Sequence, residues 1–150
     1  MRSKSFRGER RIEEALAALV SALRRAQLPW MVIGGIAIIA RGVRRMTTDI
    51  DAVVRGDRVE LVALLRFLAQ SKIVPRIDDI HAFASESLVL LLRHEPTGVE
   101  LDVSMGWTAF EHEAIAAWDA AGQLRQDVGE VLARVDAGKA AGPKDRVCDR

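Results

Sequence analysis

The sequence predicts an α/β (α+β) domain, a mixed β-sheet with helices packed on one side. Three observations carry this. Apolar residues recur at helical spacing over residues 9 to 27, as Ile12, Leu16, Leu19 and Leu23. Short β-branched or alternating runs, Asp49 to Val54 and Val99 to Ser104, read as strands. Between and after them, Asp57-x-x-Glu60 and Thr108-x-x-Glu111 have the spacing of helix-starting capping boxes.

Taken in order, the first helix places Arg10, Glu13, Glu14, Arg24 and Arg25 off the apolar stripe and ends before Pro29. Trp30 to Ile33 is a short buried strand stopped by Gly34-Gly35, and Ile36 to Arg41 returns to helical composition, ending at Gly42. The Asp57 box opens a helix with Leu61, Leu64, Leu65 and Leu68 on one face. Lys72 to Ile77 reads as a third strand, which Pro75 assigns to a sheet edge. Ser87 to Arg93 and Val99 to Ser104 form two strands joined by a turn containing Pro96 and Gly98. The Thr108 box starts a helix with Phe110, Ala114 and Ala117 on one stripe. From about residue 122 the pattern weakens into a tail containing Gly122, Gly129, Gly138, Gly142 and Pro143. The 150 residues therefore read as a single domain with a weakly structured or truncated C-terminal tail.

Composition narrows the function classes. A hydrophobic share of 49% with 29% charged residues is that of an ordinary globular chain, not a disordered one. The net charge of +1 gives no global field, so attraction to nucleic acid must come from local clusters such as Arg41, Arg44 and Arg45. The single Cys148 excludes an internal disulfide and a multi-cysteine zinc site, and His81, His94 and His112 lack metal-ligand spacing. The basic N-terminus has no apolar stretch behind it, and the apolar run Leu28 to Ala40 is too short to span a bilayer. No membrane partner is expected, and the cytoplasm is the expected location.

The chemistry concentrates around the second strand. Residues two apart on a strand share a face, so Asp49 and Asp51 project together while Ile50 and Ala52 pack behind them. Neighbouring carboxylates repel unless a cation lies between them, and magnesium binds through one or two carboxylates plus substrate phosphates. Asp102 is the candidate third acid, sharing a strand face with Glu100 and Ser104. If its strand lies beside Asp49 to Val54, three acids meet, and two metals held there can stabilise attacking and leaving oxygens. Asp102 is equally a candidate general base. Gly34 and Gly35, between strand and helix, allow close backbone approach to a phosphate at a helix N-terminus. Arg45 and Thr47 are candidate phosphate or carboxylate contacts. Each feature also has a plain reading: a simple turn, a solvated strand edge, the wet face of a half-exposed strand.

In combination, residues 30 to 54 resemble the signature of the polymerase-beta-like nucleotidyltransferase superfamily: hydrophobic strand, Gly-Gly, helix, then Asp-x-Asp. Thirteen residues separate Gly35 from Asp49, and Gly42, Arg45, Thr47, Asp49 and Asp51 match the Gly-x-x-Arg-x-Thr-x-Asp-x-Asp run of abortive-infection nucleotidyltransferase toxins and their bacterial relatives. The resemblance covers roughly residues 10 to 120. It implies that Gly34 and Gly35 hold a nucleoside triphosphate, that Asp49, Asp51 and Asp102 bind Mg2+ or Mn2+, and that Lys139 contacts nucleotide. Lys144, Asp145 and Asp149 resemble the family's later Lys-Asp-x-x-x-Asp motif, but Gly142 stands where arginine is expected, a departure that bears on activity rather than on fold.

The function so implied is metal-dependent transfer of a nucleoside monophosphate from a triphosphate to a hydroxyl of RNA, protein or a small molecule. A toxin or antitoxin partner belongs to the same resemblance. The alternative is a catalytically degenerate nucleotidyltransferase fold that acts as a binding protein.

Overall fold

The leucine stripe of the first helix is the floor of the core. In the computed structural model, which describes residues 3–36 and 47–120, helix α1 spans Ser3–Ala26, and Leu16, Leu19 and Leu23 are all buried. It starts earlier than the stripe indicates, because apolar spacing reports only the face that packs and nothing before it breaks a helix. Arg24 and Arg25 in its last turn oppose the negative end of the helix dipole, and Gln27 turns the chain at φ 56°.

Strand β1, Trp30–Ile33, and strand β2, Asp49–Arg55, lie antiparallel. Helix α2 follows at Arg58–Gln70 and starts as its sequence indicates: the Asp57 carboxylate accepts from the Glu60 N–H at 2.8 Å, and the Glu60 carboxylate accepts from the Asp57 N–H at 2.8 Å. Its Leu61, Leu64 and Leu68 are buried against α1. The Arg25 guanidinium pins the two helices together by donating to Gln70 Oε1, the Phe67 carbonyl and Ser71 Oγ.

Strand β3 is shorter than its sequence pattern, Ile73–Pro75 rather than Lys72 to Ile77. Lys72 sits at φ 58° with its N–H on the Ala69 carbonyl, so it closes α2 instead of opening a strand. Helix α3, Ile80–Ser87, was not legible as a helix; eight residues carry too little periodicity, and its start rests on the Asp79 carboxylate accepting from the Ala82 N–H. Ser87 thus ends a helix, and after Leu88 at φ 58° the strand β4 runs Val89–His94. Strand β5, Val99–Gly106, returns antiparallel to β4.

The five strands form one mixed sheet in the order β1-β2-β5-β4-β3, with β3 at the edge that Pro75 requires. Among the described residues, only the β2–β5 pair is parallel. Ile50, Ala52 and Val54 of β2 join Leu101 and Val103 of β5 and Leu90 and Leu92 of β4 in the same core cluster as the α1 and α2 leucines. Burying each of these leucine, isoleucine and valine side chains stabilises the fold by roughly 1.5–3 kcal/mol.

Helix α4, Ala109–Ala120, opens on the expected Thr108–Glu111 box and lies against β1 and β2. The expected stripe does not face inward: Phe110 is 78% exposed and Ala117 is exposed, while Ile115 is buried. Apolar residues surround this helix, so spacing cannot select a face; the first turn sets Glu111, not Phe110, beside Gly106 and Val53.

Candidate functional site

Strand register brings the acids together. Asp51 is the in-register partner of Asp102 across the parallel β2–β5 pair, and Asp49 is the partner of Glu100. Paired residues in a sheet point the same way, so Asp49, Asp51, Glu100 and Asp102 share the face opposite Ile50, Ala52 and Leu101. Asp51 is half-buried and Asp49 exposed. The Asp51 carboxyl is pushed above the usual aspartate range, first by burial and then by the negative charges of Asp49 and Asp102.

The glycines close over this row. Gly34 adopts φ +65°, and a Cβ built there would lie 2.4 Å from Asp51 Oδ2. Lacking a Cβ, glycine takes that conformation without strain and lets the backbone sit so near the carboxylate. A Cβ at Gly35 would lie 2.6 Å from Thr47 Oγ1. Residues 34–36 are helical, so the turn between β1 and that helix meets the acid face. Thr47 Oγ1 in turn lies 3.0 Å from the Asp49 carbonyl and 3.2 Å from Asp49 Oδ1. Gly34, Gly35, Thr47, Asp49, Asp51 and Asp102 therefore form one neighbourhood. Arg45 and Lys139, with Arg41, Gly42, Arg44 and the tail motif, lie outside the described residues.

One participant has no sequence signal. Arg76, just after β3, donates its N–H to the Leu91 carbonyl at 3.0 Å, and Leu91 is the register partner of Asp102. A single row thus crosses the sheet: Ile33, Asp51, Asp102, Leu91 and Arg76. The Arg76 side chain reaches over β4 to place Nη2 at 2.5 Å from Asp102 Oδ1 and Nη1 at 3.6 Å from Glu100 Oε2. Its side chain is 26% exposed, and its Nε is buried without a hydrogen-bond partner. Nothing short of the strand order connects residue 76 with residue 102, since the helix α3, the strand β4 and a turn lie between them and give no local cue.

The donor set suits a divalent cation in kind: hard carboxylate oxygens on one face, beside a glycine cradle that a Cβ would fill. In arrangement it is not assembled. Among the described residues, no group of three His, Cys, Asp or Glu side chains is placed to hold a metal ion. Asp49 is engaged by Thr47 and Asp102 by Arg76.

No helix among the described residues is long and apolar enough to cross a membrane. In comparison with known proteins, no family model matches the chain and no curated protein matches its sequence.

Proposed function

We propose that this chain is a metal-dependent nucleotidyltransferase of the polymerase-beta-like kind, acting in the cytoplasm. The observation that supports it most is the contact between the Gly34 backbone and the Asp51 carboxylate, with Asp102 in register beside it. A strand–glycine turn–helix set directly against paired acids can receive a triphosphate and its metal at one point. In this reading Asp49, Asp51 and Asp102 would hold Mg2+ or Mn2+, which would supply Lewis-acid stabilisation of the phosphate oxygens. The amides at Gly34 and Gly35 bind the phosphate chain, and Thr47 orients Asp49. The acceptor hydroxyl forms a bond to the α-phosphorus, the bond to the β-phosphate oxygen breaks, and pyrophosphate leaves. Asp102 takes the hydroxyl proton.

A second reading has an observation of its own. The Arg76–Asp102 ion pair occupies the third acid, as it would in a degenerate nucleotidyltransferase fold that binds a toxin or antitoxin partner without turnover. Incubation of the full chain with each labelled nucleoside triphosphate, Mg2+ or Mn2+, and a total RNA or lysate pool separates the two. Label transfer that Asp49→Ala and Asp51→Ala abolish supports the enzyme. Triphosphate binding without transfer supports the degenerate protein, and absence of both removes the nucleotide reading.

A further inference from the structure

We propose that Arg76 is the resident counter-ion of the acid face, and that it competes with a divalent cation for Asp102. The inference deepens the proposed function and rests on its metal reading. Register aligns Asp51 with Asp102, yet the described acids do not converge into a metal-holding group. The geometry supplies the reason. Asp102 Oδ1, the oxygen turned to Arg76 at 2.5 Å, is engaged from the β4 side of β5, whereas Asp51 lies on the β2 side. One carboxylate cannot give the same oxygen at full strength to a guanidinium and to a cation shared with Asp51, because the two positive charges would repel at close range.

The anchoring of Arg76 fits that role. Its backbone is fixed by the hydrogen bond to the Leu91 carbonyl, so the guanidinium is delivered to the row of Asp51 and Asp102 rather than to open solvent. Glu100 offers it a second carboxylate at 3.6 Å. On yielding Asp102, the guanidinium keeps a partner one row away and remains beside the site, charged and free to meet a phosphate oxygen. Arg76 is thus a positioning residue: it sets where the third acid points and what a cation must displace to use it. The buried, unpartnered Nε is consistent with a side chain placed for two arrangements rather than fully satisfied in one.

The test is Mn2+ titration of the full-length chain, following free Mn2+ by its electron paramagnetic resonance signal, for the parent, Arg76→Gln, Arg76→Lys and Asp51→Ala. No nucleotide is needed, so the readout is independent of activity. Removing the competitor is expected to tighten Mn2+ binding roughly fivefold in Arg76→Gln, the scale of a partly exposed ion pair. Arg76→Lys, which cannot bridge two carboxylates, is expected between parent and Arg76→Gln, and Asp51→Ala is expected to lose the site. A merely structural arginine would do the opposite, because its loss would loosen Asp102 and weaken binding. Equal or weaker affinity in Arg76→Gln, with parent binding intact, overturns the role of Arg76 and leaves the metal reading standing. If circular dichroism shows Arg76→Gln unfolded, Arg76→Lys decides by the same criterion of tighter binding than the parent. Absence of Mn2+ binding in the parent and both Arg76 variants at millimolar concentration overturns the metal reading and this proposal together.

Discussion

Substituting Gly34 by alanine tests whether the glycine turn exists for the carboxylate beside it. At φ +65° an L-residue is strained, by roughly 1–2 kcal/mol in the left-handed region. The new Cβ would also lie 2.4 Å from Asp51 Oδ2, while Asp51 Cγ at 3.4 Å is tolerable. The carboxylate must therefore rotate away, which costs roughly 0.5–1.5 kcal/mol for an off-rotamer side chain. The two terms sum to about 1.5–3.5 kcal/mol, on the order of 10 °C in Tm for a domain of this size. They are separable by a double-mutant cycle. In an Asp51→Ala background the backbone strain persists and the carboxylate clash is gone, so Gly34→Ala should be less damaging there by about 1 kcal/mol. Urea unfolding of the four proteins, followed by far-UV circular dichroism in metal-free buffer, gives the coupling. An equal loss in both backgrounds would refute the reasoning, since Gly34 would then serve the turn alone.

Three further outcomes follow from the same geometry. Asp51 has its acid strength reduced by burial and by Asp49 and Asp102, so its folded pKa lies above the ordinary aspartate value of 3.8 and its ionised form opposes folding. The stability it contributes is present below that value and is lost as pH rises through the folded pKa; Asp51→Asn should match or exceed the parent Tm at pH 7 without metal and converge with it in acid, and a clear drop at pH 7 would make the carboxylate structural. His94, buried with Nδ1 at 2.8 Å from Thr97 Oγ1, has its pKa lowered below 6.5, chiefly by burial. Its contribution is therefore full above pH 6.5 and is lost as pH falls through that value toward the folded pKa, so melting curves between pH 7.5 and pH 5 should fall less steeply in His94→Gln than in the parent. Asp57→Ala removes the carboxylate that accepts from the Glu60 N–H, leaving the residue-57 N–H free to donate to the Glu60 carboxylate, and should lower unfolding stability by about 1 kcal/mol, with an unchanged denaturant midpoint as the contrary result.

Much of this architecture follows from local chemistry. The leucine spacing of α1 and α2, the capping carboxylate of Asp57, the Thr108–Glu111 box and the edge position enforced by Pro75 all depend on residues within a few positions of one another. The shared face of Asp49 and Asp51 does too, because strand periodicity is a property of the backbone. The short α3 escaped the sequence because eight residues carry too little periodicity, and the starts of β3 and β4 because they turn on left-handed residues, Lys72 and Leu88, whose types do not announce that conformation. The face that α4 buries escaped it because apolar residues lie all around that helix.

The candidate site divides along the same line. Sequence alone determined that Gly34-Gly35 follows a strand, that Asp49 and Asp51 project together, and that Asp102 has the right parity on its own strand. Only the tertiary structure decided that β2 and β5 are parallel neighbours, that their register sets Asp51 against Asp102, and that β3 delivers Arg76 to the same row. Parity is written into each strand by alternation along one chain, whereas neighbour, direction and register are chosen by how the whole sheet buries Ile50, Leu101 and Leu92 against α1 and α2, and that choice is made by packing at long range.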